Sequence, residues 1–267
     1  MLLLGFGFGV RALWEAVHPM LLPPGCEVAQ ARGGPFGYPA DKLANAATIS
    51  AIAAKRDLST RAAVIATATS LQESKLRNLR HGDRDSVGLF QQRPSQGWGT
   101  AQQILDPVYA VGAFYDHLVN VRDWQTRPLT QVAQAVQRSG YPDAYAKHEA
   151  EAAALASAFT GERAAAAACR LPEPTTTWSR GRITAQLNRE TGLTARATDT
   201  GLEIRAGDPK TAWLAGAWAM AHAQDHGSRA VTVGSRTWTR TMQNHGLRWE
   251  RAAAPVEADT VRIQLTP

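Results

Sequence analysis

The sequence predicts a multidomain chain of α and α+β character: an all-α N-terminal unit followed by a small α+β unit. Three observations carry that expectation. From Asp41 to about Ala167, apolar residues recur at helical spacing between polar turns. A Pro- and Thr-rich stretch, 171–179, then interrupts the pattern. Beyond it, short runs of β-branched and aromatic residues alternate around turn signals. At 267 residues and 44% apolar content, the chain has material for one large or two modest cores.

Residues 1–22 open with Met-Leu-Leu-Leu-Gly-Phe-Gly-Phe-Gly-Val, and Arg11, Glu15 and His18 interrupt the remainder. The uninterrupted apolar part is shorter than the ~20 residues of a spanning helix. No small-residue cleavage site follows. A signal anchor is preferred over an amphipathic surface helix. Residues 23–40, rich in Pro and Gly, read as a linker.

The helical unit is expected over 41–170. Asp41 can cap a helix reaching about Arg56, with Leu43, Ala47, Ile49 and Ile52 as its apolar positions. Ser59 can cap the next, 60–78, whose stripe is Val64, Ile65, Ala68, Leu71 and Leu76. On that wheel Glu73 falls off the stripe, on the polar side, where a solvated glutamate is the ordinary case. A polar turn, Arg80 to Asp85, and a Gly-bearing segment, Ser86 to Gln92, follow with at most a short hairpin. Asp106-Pro107 starts a helix to about Asn120, Thr130 another to 138, and an alanine-rich helix is expected over 143–167.

The α+β unit is expected over 180–267. Residues 180–191 look helical and stop at Gly192. Residues 193–197 and 202–206 alternate around Asp199-Thr200-Gly201, a hairpin signal. Asp208-Pro209 opens a helix over 209–226, and strands are expected near 231–233, 237–239 and 261–265. Trp213, Trp218, Trp238 and Trp249, with nearby arginines, suit carbohydrate or partner binding, two of the four being expected in the core.

A net charge of +6 favours an anionic partner. No nucleic-acid motif is present and the basic residues are scattered, so no nucleic acid is expected. There is no Gly-rich phosphate loop, and no cofactor is expected. Nor is a metal expected, because the seven histidines lack ligand spacing. His222 and His226, at i and i+4, fall on the expected polar face of their helix and read as solvated.

The chemistry concentrates in residues 70–94. A lone acid beside a polar, Gly-bearing wall suits cleavage of a glycosidic bond, whose leaving oxygen needs a proton. Glu73 is the candidate general acid. Gly88 would let backbone approach a bulky chain, while Ser86, Gln91 and Gln92 could bond sugar hydroxyls and acetamido groups. Asp83 and Asp85 are candidate second carboxylates, which would permit inverting hydrolysis at roughly 6.5–9.5 Å from Glu73. Their bland alternative is a turn role beside Arg80 and Arg84.

Glu73-Ser74 followed by Ser86-Val87-Gly88-Leu89-Phe90-Gln91 resembles the Glu-Ser and Ser-x-x-Gly-Leu-x-Gln signature of the lysozyme-like lytic transglycosylases. Ile104-Leu105-Asp106-Pro107 and Gly112-Ala113-Phe114-Tyr115 resemble that family's next segment. The resemblance covers roughly 41–150, and looks like an actinobacterial, membrane-anchored or secreted branch. It implies a cell-envelope glycosidase acting on peptidoglycan glycan strands, with Glu73 as both acid and base. The alternatives are a hydrolytic lysozyme and a non-catalytic wall-binding module in an envelope assembly. Two departures stand out. Gln134 to Tyr141 replaces the family's Ala-Tyr-Asn-Ala-Gly segment, so Gln137, Ser139 and Tyr141 fall where a Tyr-Asn pair would contact the glycan or orient Glu73. The turn before Ser86 also carries the extra acids Asp83 and Asp85. In an exported protein, Cys26 and Cys169, flanking the helical unit, suggest one disulfide joining its ends.

Overall fold

The computed structural model describes residues 23–138 and 143–266. Among them are nine α-helices and two antiparallel sheets, one of three strands and one of six. The expected anchor, residues 1–22, lies outside the described residues; no helix among the described residues is long and apolar enough to cross a membrane.

The first unit is not all-α. Strands β1 (Gly25–Val28) and β2 (Phe36–Tyr38) form within the stretch expected to be a linker. Strand β3 (Ala167–Arg170) forms where the alanine-rich helix was expected to end. They pair in the order β2-β1-β3, with Cys26 opposite Cys169, and a disulfide joins the two across 143 residues. Alanine favours helix intrinsically, but here the ladder with β1 and the crosslink decide. The helix of this segment, α6 (Glu149–Phe159), is correspondingly short.

The other helices of this unit sit near their expected positions, except the short third one, where no helix was expected. They are α1 (Ala40–Lys55), α2 (Thr60–Ser74), α3 (Ala101–Ile104), α4 (Pro107–Leu118) and α5 (Leu129–Gln137). Helix α2 ends at Ser74 rather than 78. Lys75 and Leu76 take left-handed φ values of 55° and 60°, and the fully buried Leu76 side chain anchors the reversal.

The second unit comprises α7 (Arg180–Thr191), β4 (Arg196–Thr198), β5 (Gly201–Arg205), α8 (Pro209–Ala221), α9 (Ala223–His226), β6 (Ser228–Val233), β7 (Arg236–Thr239), β8 (Glu250–Arg251) and β9 (Thr260–Leu265); the single helix expected over 209–226 is two, and β8 was not expected. Its sheet runs β4-β5-β9-β6-β7-β8, and α8 packs on β6 and β9. The other side of α8 packs on α1, so the buried apolar residues of both units form one cluster.

Strand β3 is the seam between the units. The Trp249 indole N–H donates to Ala167 O at 2.8 Å, and that of Trp238 donates to Cys169 O at 2.9 Å. Three tryptophans, 218, 238 and 249, are buried rather than the two expected, and Trp213 packs edge-on against Trp249 at 5.1 Å. Burial and spent N–H groups remove these three from carbohydrate binding. His222 and His226 also depart from expectation. They are 5% and 0% exposed, because Thr48 of α1 and Gln186 of α7 meet the face that would be polar on an isolated helix.

Candidate active site

Helix α2 presents Glu73 on its last turn, half-buried. The core-facing hydroxyls beside it, Ser70 and Ser74, both donate to Leu89 O, at 3.1 and 2.7 Å. These two bonds clamp the segment 86–92 against α2. Gly88 N to Leu79 O, 2.7 Å, and Val87 N to Gln92 O, 3.0 Å, fold that segment into a tight turn. Phe90 then stacks on Phe114 of α4 at 4.6 Å.

The turn places the expected wall residues differently from one another. A cleft of about 390 Å³ is lined by Glu73, Asp83, Ser86, Gln91, Gln92 and Gln137, among others. Gln91 is half-buried, with its amide donating to Gly88 O at 3.2 Å. Gln92 is 2% exposed and spends its amide N–H on Ala110 O at 3.1 Å, which fixes the cleft floor to α4. Gly88 does not line the cleft. It is buried at φ +83°, and a Cβ there would stand 2.8 Å from Ile104 O. Its missing side chain admits the backbone of α3, not a substrate.

Glu73 Oε1 accepts a hydrogen bond from the Tyr145 hydroxyl at 2.8 Å, and the Gln137 side chain also hydrogen-bonds the carboxylate. Gln137 is itself held, donating to Phe90 O at 2.8 Å. Burial pushes the Glu73 pKa up, the bonds from Tyr145 and Gln137 pull it down, and burial wins. Gln137 thus bridges the carboxylate and the Phe90 carbonyl at the cleft. Ser139 and Tyr141 lie outside the described residues. Tyr145, fully buried, is the partner that sequence reasoning missed. It falls in the stretch expected to be an alanine-rich helix, and no spacing signal singles it out.

The two extra acids separate. Asp85 accepts from Ser95 N at 2.8 Å, Arg93 Nε at 3.0 Å and Ser95 Oγ at 3.0 Å. Those donors hold its carboxyl well below the usual carboxylate range. It is a turn residue paired with Arg93 rather than with Arg80 or Arg84, and it does not line the cleft. Asp83 is exposed and does line it.

Beside this cleft lies a second hollow of about 520 Å³, and the two share Gln96, Trp98, Gln137 and Arg138. Together they make a polar groove running from Glu73 past Trp98 to the end of α4. Trp98 packs on His117 at 4.1 Å and stays half-buried at the groove wall. A carboxyl of raised pKa, amide donors and an aromatic ring along one groove have the chemistry to hold a polyhydroxylated chain and pass a proton to one of its oxygens. The chain matches no protein-family model and no curated protein.

Proposed function

We propose that this protein is an extracytoplasmic peptidoglycan glycosidase, a lytic transglycosylase of the lysozyme-like type, cleaving the MurNAc–GlcNAc β-1,4 bond. The observation that carries the reading is the sheltered Glu73, with raised pKa, at the head of a polar groove. In the cycle, protonated Glu73 gives its proton to the glycosidic oxygen as the C–O bond breaks. The substrate's own acetamido oxygen stabilises the sugar cation. Glu73, now a carboxylate, takes the proton of the muramoyl 6-hydroxyl as that oxygen closes on the anomeric carbon. The products are a chain with a free 4-hydroxyl and one ending in a 1,6-anhydro ring, and Glu73 is again protonated. No water is consumed. Tyr145 and Gln137 hold the carboxyl in place for both transfers. The Cys26–Cys169 disulfide supports an oxidising, extracytoplasmic setting, with the chain secreted or anchored through its N-terminus.

One observation favours a second reading. Asp83 shares the cleft with Glu73, and at suitable distance it would activate a water for hydrolysis. Mass spectrometry of digested peptidoglycan separates the readings. Anhydro-terminated fragments from wild type and from Asp83→Asn alike are expected. Reducing-end fragments that vanish in Asp83→Asn would establish hydrolysis. Binding to peptidoglycan with no fragments at all would leave a wall-binding module.

A further inference from the structure

Helix α8 covers one face of the second unit's sheet, where Val233 of β6 packs on Gly216. Side chains alternate along a strand, so Ala230 and Thr232 of β6 belong to the opposite face. The register sets Ala230 between Thr239 of β7 and Gln264 of β9. It sets Thr232 between Thr237 and Arg262 in the next row, about 7 Å along the strands. A hollow of about 500 Å³ opens over these rows, and the chemistry above does not use it. Small side chains make the room: Ala230 on the sheet, with Ala252, Ala253 and Ala254 beside it.

Three arginines and one glutamate line this hollow. A register shift against β9, between Ser228 and Ala230, makes Arg229 an extra residue of β6. Arg229 lines the hollow together with its neighbour Ala230, which strict alternation would forbid; a bulge re-aims a side chain in this way. Arg262 reaches over from β9, its Nη1 donating to Ala254 O at 3.3 Å. Arg240 differs from both. It is 6% exposed and donates to Ser228 O at 2.8 Å, to Pro172 O at 2.5 Å and to Ala223 O, all neutral carbonyls. Those bonds do not exhaust its N–H groups. Burial pushes its pKa down, yet a guanidinium keeps its charge in a protein. Among the described residues no carboxylate pairs with Arg240 or Arg262. Glu173 meets Arg229 at 3.8 Å, and Glu203, opposite Arg262 on β5, is taken by Arg196 at 3.0 Å. A buried charge without a counter-charge is costly, and an anion seated in the hollow supplies one.

We propose that this hollow binds the phosphate ester of a polyol, its phosphoryl oxygens taken by Arg229, Arg240 and Arg262 and its hydroxyls by Thr239 and Gln264. Charge selects phosphate over carboxylate. The arginines outnumber the acid by two, and a phosphomonoester carries about −1.5 to −2 at neutral pH, against a single charge on a carboxylate. The forked guanidinium also meets phosphoryl oxygens in pairs. Thr239 and Gln264 are exposed on the row beside the arginines, and no side-chain hydrogen bond engages either among the described residues. The site stands apart from the glycan-cleaving reading and does not depend on it.

The test is isothermal titration of the full chain with glycerol 3-phosphate, glycerate and inorganic phosphate. Glycerate keeps the polyol skeleton but carries a carboxylate, and it is expected to bind about tenfold more weakly than the phosphate ester, or worse. Arg229→Gln and Arg262→Gln, made singly and checked for an unchanged melting curve, are each expected to weaken the ester about tenfold. Arg240 is left in place, because its carbonyl bonds hold Pro172 and Ala223 to β6. No binding of the ester, binding equal to that of glycerate, or binding that neither variant weakens overturns the site. Inorganic phosphate binding as tightly as the ester overturns the polyol assignment and makes free phosphate the occupant. Glu73→Gln is expected to leave the titration unchanged, so a loss of cleavage and a loss of this binding are read separately.

Discussion

Two glutamates of this chain leave water on folding and end with opposite acidities. Glu190, at the interface of α1, α7 and α8, is 3% exposed. It accepts from Thr48 Oγ1 at 2.8 Å, Trp218 Nε1 at 2.7 Å and Gln186 Nε2 at 2.7 Å, with His222 Nε2 at 3.4 Å. Burial pushes its pKa up, yet the His222 charge and the donors outweigh burial and bring it below the ordinary value. Glu73 is less buried, is hydrogen-bonded among the described residues by the Tyr145 and Gln137 side chains, and its pKa rises. Burial alone therefore does not set the proton's affinity; the charge and the donors facing the carboxylate decide it as well. The saturated acid ties two units together, and the other lines a groove with its pKa raised.

The sharpest break of this contrast is Glu73→Gln. Cleavage should fall by about 10²–10⁴, the usual worth of a positioned general acid. Stability should not fall with it. A carboxyl whose folded pKa is raised stabilises the fold while protonated and burdens it as pH rises through that value. The amide removes the burden, so the melting temperature at neutral pH should hold or rise. A large drop would place Glu73 with the structural acids.

Glu190→Ala should do the opposite. Removing one partner of a buried ionic network costs about 3–5 kcal/mol, read by chemical denaturation. A variant as stable as wild type would mean that the network does not hold the seam.

Tyr145→Phe narrows the gap from the other side. Glu73 loses the Tyr145 hydrogen bond, so its pKa should climb further and the alkaline limb of the rate profile should move up. The turnover rate should fall about tenfold, equivalent to roughly 1.4 kcal/mol. An unshifted limb would show that the phenol does not act on the acid.

The smallest effect belongs to His226. Burial first, then the His222 and Arg182 charges, hold its pKa well below the ordinary value, against the pull of Glu190. Folding refuses a proton that the unfolded chain takes below about pH 6.5. Stability should fall below that pH by up to about 1.4 kcal/mol per unit for one proton. Subtracting the denaturation curves of His226→Gln from those of wild type isolates this slope, and parallel curves would refute it.

What could be read from the sequence was what local chemistry decides. The Asp106 side chain accepts from Val108 N at 3.0 Å and Pro107 follows, so the start of α4 is written in two residues. Ser179 and the left-handed Gly192, φ 79°, bracket α7 in the same way. What could not be read depends on distant partners. Cys26 and Cys169 signalled a pairing, but not that their neighbours would form a sheet. Ala167 and Ala168 became a strand because β1 lies alongside, against their own propensity. His222 and His226 were misplaced because periodicity describes one helix and not its second neighbour. The wheel put Glu73 off the apolar stripe, and it is off it. A groove is neither core nor solvent, and the hydroxyl that shelters this acid comes from 72 residues further along the chain. Gly88 was marked for the approach of a sugar chain, and its bare Cα instead meets the backbone of α3.

The most direct measurement is a ¹³C titration of the side-chain carboxyls in the intact protein, with Glu73→Gln and Glu190→Gln assigning the two resonances. Glu73 should titrate above the ordinary glutamate value of about 4.3 and Glu190 below it. A Glu73 resonance that titrates at or below that value would leave no proton donor in the groove and would contradict the account.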